Sequence, residues 1–148
     1  MTSNSNPLWG LLQCLTMIFL IMTMTDFSTE AQEFPSELPW VNDTIYVAPS
    51  ASEGGDGSLN APYNDFTDFT FKRKTAYLFK RGDEMDIDEV SIGTDSIYVG
   101  TYGTGEKPHF HGSSTTHTFT FSGNHQYIQN LKVTNQDTGV CFRFRAFN

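Results

Sequence analysis

The sequence predicts an all-β protein, and three observations support this prediction. Aromatic residues make up 14% of the chain, with 13 Phe and 6 Tyr, and strands favour aromatic and β-branched side chains. Twelve glycines provide turns between short segments. No long stretch has the spacing of apolar positions that an amphipathic helix requires.

The N-terminal segment predicts export. Residues 8–22 read LWGLLQCLTMIFLIM, without a charged residue. This stretch is short for a membrane span, which needs about 20 apolar residues, and has the length of a signal-peptide core. We therefore predict a signal peptide over residues 1–31 and a secreted or cell-surface protein that contacts a membrane only through this segment. Residues 1–7 lack the usual Lys or Arg, which leaves an uncleaved anchor or a buried helix as alternatives.

The next segments predict a linker, a strand, a loop and a short helix. Residues 32–43 contain two prolines and no periodicity, as in a linker. TIYVAP, from Thr44, alternates like a strand, and the Gly-, Ser- and Asp-rich residues 50–62 predict a loop. Aromatic residues three apart, followed by three basic residues, predict one or two helical turns within residues 63–74.

From Thr75 onward the chain consists of short strand-like segments separated by turns. The alternation is clearest in THTFTFS, where threonines and phenylalanines would face opposite sides. Two architectures accommodate this series: an antiparallel β-sandwich or barrel, and a parallel β-helix. Hairpins prefer Asn-Gly or Asp-Gly turns, and the strand region contains neither. Strands rich in Ile and Val recur, and Asn130 and Asn135 lie near bends. The turn chemistry therefore favours the parallel β-helix.

Charge and cysteine content argue against two classes of protein. The formal charge is −8, and an acidic chain repels phosphate backbones, so we do not expect nucleic acid as a partner. The two cysteines are Cys14 and Cys141. Cys14 lies within the predicted signal peptide, so the mature chain would have one thiol and no internal disulfide. A small domain held together by disulfides is therefore excluded.

Three segments resemble the right-handed parallel β-helix family of secreted polysaccharide lyases and related repeat proteins. IYVAPSASEGGDGSLNAPYNDF is similar to the family's opening strand, loop and entry into a capping helix. AYLFKRGDEM resembles the strand after that helix, and IYVGTYGTGEKPHFHG contains the most specific element, Tyr-Gly-x-Gly-Glu-Lys-Pro. After these, YIQNLKVTNQDTGVCF is similar to one further rung. The segment FTDFTFKRK departs from the family because it lacks an alanine-rich packing face.

The resemblance implies a fold and suggests a function. It implies that residues 44–148 form the N-terminal rungs of a right-handed parallel β-helix, after a short capping helix, in a truncated chain. It suggests an exported protein that acts on acidic polysaccharide by pectate-lyase-like eliminative cleavage in the full-length parent, with this fragment alone inactive. Since the same fold serves many functions, a non-catalytic carbohydrate- or protein-binding module is the alternative. No catalytic residue is transferred from the family.

Two groups of residues are candidates for binding metal. Asp86 and Asp88 alternate in the acidic run GDEMDIDE, so both would project to one side of a strand and offer the oxygen ligands that calcium prefers. His109 and His111 flank Phe110 in the same manner, and two imidazoles can begin a zinc or copper site. No third ligand follows them at a recognisable spacing. Asp86 and Asp88 are thus the predicted calcium ligands if the chain binds a metal, although the acidic run favours the alternative of a solvated acidic face.

Arg143 and Arg145 are the predicted substrate-binding residues. They alternate with Phe142 and Phe144, so both would lie on one exposed face of a strand. A guanidinium group pairs well with a sugar carboxylate. The alternative is that both are the polar side of an ordinary strand.

Overall fold

The structure, a computed structural model, describes residues 38–113, 116–136 and 138–145. All of them fall within the unit Ala31–Asn148. The predicted signal peptide lies outside the described residues, as do residues 32–37 of the predicted linker. The described residues contain ten β-strands and one 3₁₀ turn, Phe66–Asp68. The strands are β1 Asp43–Val47, β2 Thr75–Lys80, β3 Glu84–Ile87, β4 Val90–Ile92, β5 Ile97–Tyr102, β6 His109–Gly112, β7 His117–Phe121, β8 Gln126–Ile128, β9 Lys132–Asn135 and β10 Val140–Phe144. The prediction of an all-β protein is confirmed.

The strands form three sheets in which all the strand pairings are parallel. Sheet one has the order β1-β2-β5-β8, sheet two β3-β6-β9 and sheet three β4-β7-β10. The chain visits sheets one, two and three in this order three times. We call these visits pass one (β2–β4), pass two (β5–β7) and pass three (β8–β10). Parallel pairing throughout these sheets differs from the antiparallel sandwich considered from the sequence.

The turn before sheet one repeats in every pass. Lys74, Ser96 and His125 each directly precede a strand of sheet one, and their φ angles are 58°, 54° and 55°. These residues are not glycines, although left-handed backbone favours glycine. The turns also stack, because the backbone N–H of Lys74 donates to the carbonyl of Ser96 (2.7 Å) and that of Ser96 donates to Asn124 (2.8 Å). The three passes therefore share a backbone conformation that the amino-acid identities do not reveal.

The aromatic core lies between the three sheets. Its fully buried large side chains include Tyr77, Phe79, Phe110, Phe119 and Phe121. Strands of sheets two and three contribute every second residue to it, as the alternating burial of β3 and β6 shows. Strands β2 and β5 of sheet one are buried on both sides, since their outer residues Ala76, Leu78 and Tyr98 form a second cluster. Leu38, Trp40 and Val41 pack against it.

The predicted helix is shorter than the sequence suggested. Asp65 caps the 3₁₀ turn by accepting a hydrogen bond from the Thr67 N–H, and Asp68 accepts one from the Asp65 N–H in return. Phe69 then adopts an extended conformation, with φ −145° and ψ 165°, which ends the helix before the basic residues. Phe66 packs against Phe79, Phe110 and Phe119, with ring centroids 5.3–6.1 Å apart. Packing of this ring, rather than helical propensity, positions the segment.

Candidate metal centre and polysaccharide-binding groove

The solvent-facing side of sheet two carries a row of polar side chains from three adjacent strands. β3, β6 and β9 pair in register, with Glu84 opposite His109 and His109 opposite Lys132. Two residues further along, Asp86, His111 and Thr134 form the next line across the sheet. The residues between them, Met85 and Phe110, are buried, so the polar side chains project outward. We call these six positions the sheet-two face.

Three potential metal ligands meet on the sheet-two face. One ligand atom each of Glu84, His109 and His111 lies within 4.8 Å of the other two. His111 Nε2 is 3.4 Å from Glu84 Oε2, and the two imidazole centroids are 3.8 Å apart. Strand alternation places the two histidines side by side, and the pairing register brings in Glu84. Two nitrogens and one carboxylate oxygen form a donor set typical of zinc and related transition metals.

His109 also contacts a polar group outside the cluster. His109 Nε2 lies 3.0 Å from the Thr134 hydroxyl of β9. Burial, followed by the neighbouring His111 and Lys132, lowers the pKa of His109 below its ordinary value of 6.5, with Glu84 acting in the opposite direction. These causes favour the neutral imidazole, which is the form that binds metal ions.

An open groove lies next to the three ligands. Its volume is about 210 Å³, and Glu84, Asp86, His111 and Gln136 line it together with the edge of Met85. Water therefore has access to the side of the cluster that Glu84 and His111 form.

The predicted calcium ligands lie near this cluster but outside it. Asp86 is exposed within β3, beside His111 in the register, and Asp88 is exposed just after the strand. In the described part of the chain, the ligand-type residues that come together are Glu84, His109 and His111. Calcium binding by Asp86 and Asp88 stays a prediction.

The predicted substrate-binding arginines lie on an edge strand. Arg143 belongs to β10, is exposed, and pairs in register with Thr120 of β7. Arg145 follows the strand, and its backbone N–H donates to the Phe121 carbonyl at 2.8 Å. Both side chains are exposed. Their role in binding substrate stays a prediction.

Arg145 lines a second and larger groove, which we call the pass-three groove. Its volume is about 440 Å³, and its walls combine aromatic, amide and cationic side chains. Phe144 and Tyr127 are 69% and 48% exposed. Gln126 also lines the groove, but its side-chain N–H groups donate to the Ile92 and Thr94 carbonyls (2.9 Å each). Aromatic rings stack on the apolar faces of sugars, while a guanidinium binds carboxylate oxygens.

The sequence pointed to the histidine pair but missed its third member. Glu84 belongs to the acidic run, whose aspartates drew the prediction, and nothing in its spacing from His109 corresponds to a known metal motif. The available signal was the common alternation in EMDI and HFHG, which places Met85 and Phe110 in equivalent buried positions. Pairing these two segments in parallel brings Glu84 opposite His109.

No helix among the described residues is long and apolar enough to cross a membrane. Compared with known protein families, with curated proteins and with solved structures, the chain matches none.

Proposed function

We propose that this chain forms rungs of a right-handed parallel β-helix. The support is the threefold passage through three parallel sheets in one order, together with the left-handed residue that precedes sheet one in each pass. Connections between parallel strands of one sheet are right-handed in nearly all proteins, which gives the hand of the coil. A repeat of backbone conformation in non-glycine residues is more specific to a coil than the strand order alone.

The proposed function of the coil is to bind acidic polysaccharide. The pass-three groove is the observation that supports this, because Arg145 lies in it beside the exposed rings of Phe144 and Tyr127. The guanidinium group would pair with a uronate carboxylate, and the rings would stack on neighbouring sugars. Arg143, on β10 two residues before Arg145, is also exposed and would bind another carboxylate of the polymer.

Eliminative cleavage by an exported parent protein is the reaction that we propose for such a coil, and it requires that any rungs after β10 leave the pass-three groove open. The reaction needs the uronate carboxylate neutralised, by a cation or by calcium, and a base that removes the neighbouring proton. Arg145 offers a cation in the pass-three groove, and Arg143 offers one two residues before it, whereas calcium at Asp86 and Asp88 would neutralise a carboxylate beside sheet two. We assign no base, and we expect this chain alone to bind polymer without cleaving it.

The test is calorimetric titration of the full chain with polygalacturonate, in the presence and absence of calcium. We expect binding, with an affinity that Arg145→Ala lowers by roughly 10- to 150-fold, because a charge-assisted hydrogen bond contributes about 1.5–3 kcal/mol. Arg73→Ala is the matched control, since Arg73 is an exposed arginine in the turn before β2, and it should leave the affinity unchanged.

Three outcomes would contradict the proposal. Absence of binding would show that the chain does not bind acidic polysaccharide. Equal affinity for an uncharged glucan would show that the uronate carboxylates do not contribute to binding. An equal loss of affinity in the Arg145 and Arg73 variants would show that the net charge of the chain, and not the groove, determines binding. Release of unsaturated uronates by the chain alone, followed by ultraviolet absorbance, would show that this chain is itself catalytic.

A further inference from the structure

We propose that Glu84, His109 and His111 bind one divalent transition-metal ion such as zinc, with an open coordination position facing the groove next to them. This site is independent of the polysaccharide-binding function and differs from the predicted calcium site in both its residues and its chemistry.

The distances suit a zinc ion with little rearrangement. Zinc binds imidazole nitrogen and carboxylate oxygen at roughly 2.0–2.2 Å, so two ligand atoms of a tetrahedral site are about 3.3 Å apart. The separation between His111 Nε2 and Glu84 Oε2 is 3.4 Å. The ligand atoms of all three residues lie within 4.8 Å of one another, so small side-chain rotations bring His109 to the same spacing.

The backbone that holds the ligands is fixed before any ion binds. The His109 N–H donates to the Asp83 carbonyl (3.0 Å), and the Ser113 N–H donates to the Ile87 carbonyl (3.0 Å), so hydrogen bonds hold both ends of the β3–β6 pair. The inward neighbours Met85 and Phe110 are 8% and 1% exposed. Binding therefore orders only the ligand side chains, which keeps its entropic cost low.

The donor set selects the class of ion. Calcium and magnesium take oxygen ligands, whereas imidazole suits zinc, copper, iron and nickel. Two histidines with one glutamate leave a fourth position of a tetrahedral zinc ion for water or a substrate atom. The groove beside Glu84 and His111 gives that position access to solvent. Water is the ligand expected there, because the Asp86 carboxylate that also lines the groove repels anions.

Thr134 would orient one of the two histidines. Its hydroxyl lies 3.0 Å from His109 Nε2, and an ion at the other ring nitrogen, Nδ1, leaves this hydrogen bond intact. Metal-binding histidines commonly make such a contact through their second nitrogen. Because Thr134 belongs to β9, the site would draw on all three strands of sheet two.

The experiment is a titration of the untagged full chain with Zn²⁺ in competition with a chromogenic chelator, repeated with Co²⁺ for its visible absorption spectrum. We expect one ion per chain, and a cobalt spectrum typical of nitrogen and oxygen ligands without thiolate. His109→Ala, His111→Ala and Glu84→Gln should each weaken zinc binding by more than about tenfold, because outer-shell partners alone contribute 10–100-fold. Thr134→Val should have a smaller effect than any of these three.

His125→Ala is the matched control, because His125 is an exposed histidine in the turn before β8. It should bind zinc with the affinity of the unsubstituted chain, and circular dichroism should show that every variant keeps its strand content. The proposal would be overturned if the His109 and His111 variants bound zinc as tightly as the unsubstituted chain does. It would also be overturned if the unsubstituted chain did not bind zinc, if the cobalt spectrum showed a thiolate band from Cys141, or if equimolar calcium displaced zinc.

Discussion

Two groups of phenylalanines in this protein have the same chemistry but different environments. Phe110 and Phe119 in pass two are 1% and 2% exposed and contact the ring of Phe66, which precedes the first pass. Phe142 and Phe144 in pass three stack on Phe119 and Phe121. Phe144 is nevertheless 69% exposed. In the described residues, β10 pairs with β7 alone.

The difference shows that burial here is a property of stacking rather than of sequence. The segments HTFTF and VCFRF both alternate, and their strands pair in parallel. A strand in the middle of a sheet is covered by neighbours on both sides, while an edge strand is covered on one. The exposed Val140, Tyr127 and Phe144 all belong to pass three, so its surface is where the groove that contains Arg145 can form.

The largest effect should come from removing a ring in pass two. Phe110→Ala deletes a fully buried ring that contacts Phe66, Phe79 and Phe119. We expect the free energy of unfolding to fall by about 3–5 kcal/mol, because the transfer and cavity contributions add. Urea denaturation followed by circular dichroism measures it. A loss below about 1 kcal/mol would mean that pass two is no better packed than pass three.

A methyl group added at Gly112, the last residue of β6, should lower the stability by an intermediate amount. A Cβ at Gly112 would lie 2.1 Å from the Thr118 hydroxyl oxygen, and Thr118 is fully buried and accepts a hydrogen bond from Asn135 of pass three. We expect Gly112→Ala to lower the free energy of unfolding by about 1–3 kcal/mol, as overpacking does. Gly93→Ala is the control, since its nearest atom would be 3.4 Å away. Equal losses in both variants would contradict this explanation.

A smaller effect should appear at alkaline pH. Burial, followed by the nearby Asp83 and Tyr46, raises the pKa of Tyr102 from 10.0 to about 12. Between these values the unfolded chain loses the phenol proton while the folded chain keeps it. Stability rises with pH only where the unfolded state binds more protons, so here it falls as the pH rises from 10 to 12.

Tyr102→Phe should therefore make this alkaline decline shallower in urea titrations at stepped pH. It should not abolish the decline, because burial also raises the pKa values of Tyr77 and Tyr98. Tyr127→Phe, at an exposed ring of pass three, is the control and should leave the slope unchanged. If the slope in the Tyr102 variant were the same as in the unsubstituted chain, the Tyr102 phenol would ionise equally in the folded and unfolded states.

The smallest effect should follow from truncating the exposed ring of pass three. Phe144→Ala removes a side chain that is 69% exposed, and surface substitutions usually change stability by no more than about 0.5 kcal/mol. The same urea denaturation provides the measurement. A loss comparable to that of Phe110→Ala would show that another surface covers Phe144 in solution, and size-exclusion chromatography would then test for self-association.

The sequence predicted several elements closely and missed others for identifiable reasons. The strands at TIYVAP and THTFTFS correspond to β1 and β7, because period-two alternation is a local property. Strand β3 was not predicted because it lies within the acidic run. Its exposed residues Glu84 and Asp86 alternate with only two buried apolar residues, Met85 and Ile87. Within the segment YIQNLKVTNQDTGVCF, which resembles one rung, the structure separates β8 from β9 around Asn130, whose φ is 61°.

The sequence by itself determined the all-β class, the inward and outward alternation of its strands, and the projection of His109 and His111 from one face. These follow from composition and from the geometry of a single strand. Only the tertiary structure decided that Glu84 lies opposite His109, that Arg145 shares a groove with Tyr127, and that Phe110 is buried while Phe144 is exposed. The reason is that each of these depends on the pairing of strands from different passes, and alternation within a strand carries no information about its partner's register.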